Sequence, residues 1–420
     1  MLTAIEKTDK KMFELIRGEQ ARQAGSIRLI PSENYVSVAV MEATGSCLTN
    51  KYAEGYPTKR YYEGQQFTDQ IETLACERAM ALFGTDGANV QSHSGSEANL
   101  AVYAALAEPG ETIMGLSLPF GGHLTHGWKV SYTGKFFKSV QYELDPSTGL
   151  LDYDQIEKLA REHRPKILIS GSSAYPREID FSQFDRIAKS VGAYHVSDMA
   201  HIAGLVAGGV HRSPVPWSDV VTTTTHKTLR GPRGGMILFQ DQHAKAINKS
   251  VFPGLQGGPH MHTISGVAVA LKEAATEDFK AYARQVVLNA KRMAAKLMEY
   301  GFDLVSGGTD NHLMLIDLRG KGLSGKPLAK ALDRAHIECN YNSVPGDTAP
   351  PFNPSGLRLG TPAMTTRGMK EPQAEQVAAW IAAIAENPEN ESVIEKVGRE
   401  VTALCKAFPV PEVFVRIRED

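Results

Sequence analysis

Several features that would mark large classes of protein are scarce in this chain. Cysteine is nearly missing, with four among 420 residues, at Cys47, Cys76, Cys339 and Cys405, and no CxxC pair. Thiols scattered this way suit a reduced cytosolic protein better than a disulfide framework or a zinc site. No stretch approaches the roughly 20 apolar residues that a membrane helix needs. The first twenty residues, MLTAIEKTDKKMFELIRGEQ, mix acids with bases around no continuous apolar core, which argues against a secretory signal or a transit peptide. An excess of one charge is also lacking, since 45 basic and 47 acidic residues leave a formal net charge of -2. Without a basic stripe, nucleic acid and anionic membranes are poor partners. The expectation is a soluble, cytoplasmic protein without repeats or low-complexity tracts.

What is present is a chain long enough for two domains and 42% hydrophobic, ample for a large core. From about residue 84 to 240, short apolar runs alternate with helical patterns. Strands are expected at Thr112 to Leu116, Lys166 to Ser170, Tyr194 to Ser197, Asp219 to Thr225 and Gly235 to Phe239. Such alternation predicts an α/β fold, a mostly parallel sheet wrapped by helices. The opening thirty residues read as an amphipathic helix, with Met12, Phe13, Leu15 and Ile16 set among charges. A long helix from Glu277 to Tyr300, with Phe279, Tyr282, Val286, Ala290, Met293 and Leu297 on one stripe, leads into a smaller α+β domain. That domain holds an alternating run, His312 to Leu318, and a late helix around Ala374 to Ala385. The division expected is a helical arm over 1–35, a large domain over 36–276 and a small C-terminal domain over 277–420.

The segment Val220 to Gly235, VVTTTTHKTLRGPRGG, sets Lys227 at the end of a β-branched run. Strand ends in α/β domains display reactive groups, and a partly desolvated lysine there can lose its proton and attack a carbonyl. A lysine at a strand end also commonly snorkels into water, so its neighbours in the sequence decide. Ser94, Gly95, Ser96 and Glu97 open an apolar helical run, an ordinary cap or a phosphate site. Asp198 closes a strand and could hold a pyridine nitrogen or cap a helix from Met199; His201 lies one turn on.

The run from Gly121 to Gly127 carries His123 and His126, suited to stacking on a planar cofactor or to a metal pair. No HExxH or nearby carboxylate completes a ligand set, which leaves the metal reading weak; His260 and His262 pose the same incomplete case. Arg358, among small and apolar residues, could grip an amino-acid carboxylate or serve a structural salt bridge. In combination these are the parts of a pyridoxal-phosphate enzyme.

Longer strings make the pattern specific: SEN at Ser32, LTNKYAEGYP from Leu48, RYY from Arg60, NVQSHSGSEAN from Asn89, GGHLTHG, SAYP from Ser173, DMAHIAGLVA from Asp198, TTTTHKTLRGPRGG, QGGP from Gln256 and SGGTDNH from Ser306. Along nearly its whole length the chain closely resembles the serine hydroxymethyltransferase family. The resemblance implies the aspartate-aminotransferase-like fold type I. It also implies reversible, folate-dependent conversion of serine to glycine through a pyridoxal 5'-phosphate aldimine on Lys227.

By the same resemblance, Asp198 would meet the pyridine nitrogen, His123 would stack on the ring, and Ser173 and His201 would lie near the ring hydroxyl. Gly95, Ser96 and His226 would hold the phosphate. Tyr52, Gly257 and Gly258 would reach in from a neighbouring subunit, implying an obligate dimer, alone or within a tetramer. Ser32, Tyr62 and Arg358 would bind the amino acid, and Glu54, also from the neighbour, would be the acid/base group. Leu118, Gly122, His123, Leu124, Asn342, Pro350, Pro351 and Phe352 match positions lining the tetrahydrofolate site. Pro31, Glu63, Phe120 and Leu255 depart from the family's usual residues, and none replaces a group with a proton-transfer or cofactor role.

Three rival readings were open on sequence: a threonine-type aldolase, an α-methylserine transferase, and a non-catalytic relative, which would have little reason to keep Lys227 and Asp198.

Overall fold

The computed structural model describes residues 3–411. A seven-stranded sheet organises the larger part of the chain. Its strands are β1 (Gly87–Asn89), β2 (Thr112–Leu116), β3 (Lys138–Tyr142), β4 (Ile167–Ser170), β5 (Tyr194–Asp198), β6 (Val220–Thr224) and β7 (Gly235–Phe239). They lie in the order β1-β7-β6-β5-β4-β2-β3. All run in one direction except β7, which is antiparallel to both its neighbours.

Inner strands such as Thr112–Leu116, Ile167–Ser170 and Gly235–Phe239 are mostly apolar because both sheet faces are covered. Successive side chains feed opposite faces: Ile167, Ile169, Val220 and Ile237 join one core with the helix Gly95–Leu106. Leu168, Val221, Met236 and Leu238 join another, filled by the helices Gln66–Phe83, Phe181–Val191 and Met261–Ala274. The expected strands appear within a residue or so of their expected ends.

The helix Glu277–Glu299 links the two parts of the molecule. Its Phe279, Tyr282 and Val286 pack in the core on the large sheet, and its Ala290, Met293 and Leu297 pack in a second. Truncating fully buried Met293 to alanine should cost about 2–5 kcal/mol. That second core lies on a four-stranded antiparallel sheet of β8 (Asp303–Leu304), β9 (Leu313–Asp317), β10 (Asn340–Asn342) and β11 (Gly356–Gly360), ordered β8-β9-β11-β10. The late helix covers Glu371–Glu386.

Near the N-terminus, the helix Lys10–Gly25 buries none of its residues, and Met12 and Leu15 are exposed. The next residues, Ile27–Arg28, pair in parallel with Ile337–Glu338, which fixes the segment to the second core through Ile27 and Leu29. Among the described residues, no helix is long and apolar enough to cross a membrane.

Candidate active site

Parallel strands ending at one edge deliver the site, as doubly wound sheets generally do. Asp198 is the last residue of β5, His226 and Lys227 lie just past β6, and Ser172 and Ser173 follow β4. With Ser94, Gly95, Ser96, His123, Ala200, His201, Thr224 and Arg233 they line a cavity of about 160 Å³.

Lys227 is buried. Burial draws its pKa down to about 8; Asp198 opposes the shift, and Arg358 and Arg233 add to it. The lysine therefore reaches its nucleophilic neutral form near physiological pH. Its carbonyl accepts from Asn34 Nδ2 at 3.0 Å and from the Arg230 amide at 3.1 Å, which pins the turn that presents it. Asn34 also donates to the Tyr282 hydroxyl at 2.8 Å.

Asp198 Oδ2 accepts from His126 Nε2 at 3.0 Å and Asn99 Nδ2 at 2.9 Å, and its Oδ1 accepts from the Ala200 amide at 3.0 Å. Burial raises its pKa, but His126, His123 and Asn99 outweigh that and hold it below the usual carboxylate range, so it stays ionised. No helix starts at Met199; the next begins at Ala203, and the carboxylate faces the cavity instead of capping it. Asn99 is fixed in turn by Thr222, whose hydroxyl donates to Asn99 Oδ1 at 2.6 Å.

His123 stands over the same cavity with Nδ1 at 2.7 Å from Thr125 Oγ1. Burial, with His126 and Lys227, lowers its pKa to about 4, leaving a neutral flat ring suited to stacking. The ring nitrogens of His123 and His126 and the Asp198 carboxylate lie within 4.8 Å of one another. Asp198 thus supplies the carboxylate that the sequence did not place beside the two histidines, and its oxygens are already engaged by protein donors.

Ser94 caps the helix Gly95–Leu106 by accepting from the Glu97 amide, which leaves the Gly95 and Ser96 amides at a positive helix end. A Cβ at Gly95 would stand 2.6 Å from Thr224 Cγ2, so only glycine lets this helix start close on β6. Arg233 and His226 line the same cavity, and His226 Nδ1 is buried with no partner. His226 is neutral: burial, Arg233 and Lys227 bring its pKa to about 3.

Arg358 on β11 reaches across from the small sheet, donating to the Ser173 carbonyl at 2.5 Å and to Asn340 Oδ1 at 3.3 Å. Burial lowers its pKa only to about 10, and it stays charged. Among the described residues it makes no ion pair. The salt-bridge alternative therefore has no partner here.

Other sequence candidates gather elsewhere. The hairpin Gly55–Tyr56 with Lys59–Arg60 folds Glu54 back onto the residues that follow it. Tyr62 donates to Glu54 Oε2 at 2.7 Å and Tyr52 to Glu54 Oε1 at 3.2 Å. Gly257 and Gly258 complete this group: a Cβ on them would lie 3.0 Å from Glu54 Oε1 and 2.8 Å from Tyr52 Cε2. None of these five lines the Lys227 cavity, and Tyr62 stands with Glu54 rather than with Ser32 or Arg358. Ser32 lines an adjoining cavity of about 610 Å³ that shares His226 and Arg233 with the smaller one.

Leu118, Gly122, Leu124, Asn342, Pro350, Pro351 and Phe352 also lie outside the cavity's lining. Gly121 ties the loop of Leu118, Gly122 and Leu124 to it, its carbonyl accepting from the Ser173 amide at 2.7 Å. Leu124 and Phe352 are exposed.

The serine hydroxymethyltransferase family model matches residues 5–381. The chain belongs to the serine hydroxymethyltransferase family. It is 59% identical over 416 residues to the serine hydroxymethyltransferase of Acidothermus cellulolyticus, covering 98% of this chain and 97% of the relative. Identity to that of Sorangium cellulosum is 59% over 410 residues, at 98% and 97% coverage. For Desulfotalea psychrophila it is 58% over 410 residues, at 98% and 96%.

The family's fold is type I and its cofactor pyridoxal phosphate, and the residues present fit that group. An ionised carboxylate, a neutral ring, a lysine of lowered pKa and a cationic, amide-lined helix end meet in one cavity. Sequence reasoning did not single out Arg233, Asn99 or Asn34 as site residues, and it offered His126 only as a stacking or metal candidate, not as the partner of Asp198. All of them lie inside motifs that were quoted, but Asn99 and Asn34 gain meaning only from partners distant in sequence.

Proposed function

We propose that the chain transfers the hydroxymethyl group of serine reversibly to tetrahydrofolate, forming glycine and 5,10-methylenetetrahydrofolate. Pyridoxal 5'-phosphate is the cofactor and tetrahydrofolate the cosubstrate. One observation carries the reading: a lysine of lowered pKa shares a cavity with an ionised carboxylate, while Arg358, with no ion pair among the described residues, donates to the carbonyl of Ser173 on the cavity lining. When bound, the cofactor supplies an electron sink for the pair released as the Cα–Cβ bond of serine breaks.

The chain's own groups bind, orient and move protons. Lys227 would hold the cofactor, Asp198 the pyridine nitrogen, and His123 the ring face. Ser173 and His201 would meet the ring hydroxyl. Gly95, Ser96 and His226 would take the phosphate, a dianion suited to a helix N-terminus. Arg358 would grip the substrate carboxylate bidentately, with Ser32 beside it. Glu54 would carry the proton of the hydroxymethyl transfer, with Tyr62 donating to it.

The Glu54 cluster supports a homodimer in which each chain completes its partner's site. Tyr52 and Tyr62, which hydrogen-bond Glu54, are exposed, as are Tyr61, Phe67 and, on the helix Lys10–Gly25, Met12, Leu15 and Ile16. Such patches on a soluble protein mark interfaces. Leu118, Gly122, His123, Leu124, Asn342 and Pro350 to Phe352 would line the folate site. The scattered thiols support a cytoplasmic setting. The arm, large domain and small domain over 1–35, 36–276 and 277–420 remain our division of the chain; residues 1–2 and 412–420 lie outside the described residues.

Serine cleavage with and without tetrahydrofolate tests the reading against an aldolase. Glycine formation should need the folate, and a rate that ignores it would favour the aldolase.

A further inference from the structure

His312 belongs to the SGGTDNH string. It lies just before β9 in the small sheet, fully buried, and its ring meets that of His201 just past β5. His201 Nδ1 and His312 Nε2 are 3.2 Å apart, with ring centroids at 5.4 Å and planes 27° from parallel. His201 lines the cofactor cavity; His312 does not. We infer that His312 fixes the tautomer of His201, donating from its Nε2 so that His201 presents an N–H, and not a lone pair, to the cavity.

The number of hydrogens the two rings can carry decides the donor. Both rings are neutral, because burial lowers both pKa values and the charged neighbours acting on them, Lys227 and Arg358, oppose a further proton. A neutral imidazole has one N–H and one acceptor nitrogen, so one ring donates and the other accepts. Were His201 the donor, His312 would carry its own hydrogen on Nδ1. That nitrogen is buried with no partner, and a buried N–H without an acceptor is rare and costly. With His312 as donor, only a lone pair is left over. His201 then accepts at Nδ1, and its hydrogen sits on Nε2, the nitrogen free to face the cavity.

His312 is therefore a positioning residue acting through His201. The consequence for the cofactor rests on the proposed placement of His201 beside the ring hydroxyl. A donor there favours the ionised oxygen, which an acceptor would not.

Selectively ¹⁵N-labelled histidine NMR on the cofactor-free full chain tests this, with the His201 signals assigned by their loss in His201→Asn. Wild type should show His201 protonated on Nε2. His312→Gln, whose amide can still donate, should keep that tautomer, and His312→Met should convert it to a mixture. After loading with pyridoxal phosphate, the pH midpoint of the visible absorbance should rise by about one unit in His312→Met and stay put in His312→Gln. His201 protonated on Nδ1 in wild type would overturn the inference, as would a tautomer indifferent to His312→Met; the wild-type measurement decides even if the variant fails to fold. A tautomer that switches while the absorbance stays put would sustain the inference and overturn the placement of His201 against the cofactor.

Discussion

Tyr62 donates its hydroxyl to Glu54 Oε2 at 2.7 Å, and neither side chain lines the cavity that holds Lys227. The hairpin between them makes this pairing local and rigid: the Tyr61 amide donates to the Glu54 carbonyl at 3.2 Å. A carboxylate held this way on an exposed surface has little to do for its own chain's stability. The role proposed for it lies in a site completed by association.

Glu54→Gln keeps the size and the Tyr52 and Tyr62 contacts while removing the titrating group. The turnover of serine with tetrahydrofolate should fall by about 10²–10⁴-fold, with the visible absorbance of bound cofactor unchanged. Steady-state kinetics beside a spectrum checks both, and full activity in the variant would remove Glu54 from proton transfer.

Lys227→Ala should leave the fold intact by circular dichroism and abolish turnover, since the side chain ends in the cavity and makes no hydrogen bond that holds the core. An active variant would refute the role of Lys227.

The pH dependence of cofactor uptake follows from the lysine. With its pKa drawn down to about 8, about a tenth of Lys227 is neutral at pH 7, against about one part in 3,000 for an ordinary lysine. Because the neutral form attacks, uptake by the cofactor-free protein should speed up as pH rises and level off above about 8. A midpoint near 10 in stopped-flow absorbance would contradict the burial argument.

Asn99 joins Thr222, Thr125 and Asp198 within the buried edge of the sheet. Asn99→Ala strands those partners, and stability should drop by about 1–3 kcal/mol in urea unfolding. Cofactor affinity should fall with it, because Asp198 loses one of its three donors.

The sequence made the inner strands legible for a physical reason. β4, β6 and β7 are buried on both faces, so apolar or β-branched residues run through them with no charged residue among them. The edge strand β3, KSVQY, and the short β1, GAN, lack that signature and were not expected. The helix Gln66–Phe83 also escaped notice, since its buried face includes Thr68 and Glu72, the latter paired with Arg60 at 2.6 Å. A buried ion pair hides a helix from any reading of apolar spacing.

In the site, Lys227 and Asp198 were legible because strand-end position and chemistry coincide. The partners of Asp198 were not. Nothing local says that Asn99 on one helix and His126 in a glycine-rich loop converge on one carboxylate oxygen. The family resemblance assigned Glu54, Tyr52, Gly257 and Gly258 to a neighbouring chain's site, but that Tyr62 stands with them and not with Ser32 and Arg358 needed coordinates.

Mixing two inactive variants distinguishes a site shared between chains from one built within a single chain. Lys227→Ala and Glu54→Gln chains, each nearly inactive alone, are unfolded together at equal amounts and refolded. If each site takes its lysine from one chain and its glutamate from the other, half the dimers are mixed and each mixed dimer has one intact site. About a quarter of wild-type activity should return. If both residues act within one chain, every mixed site still carries a defect, and activity that stays at the level of the separate variants would contradict the account.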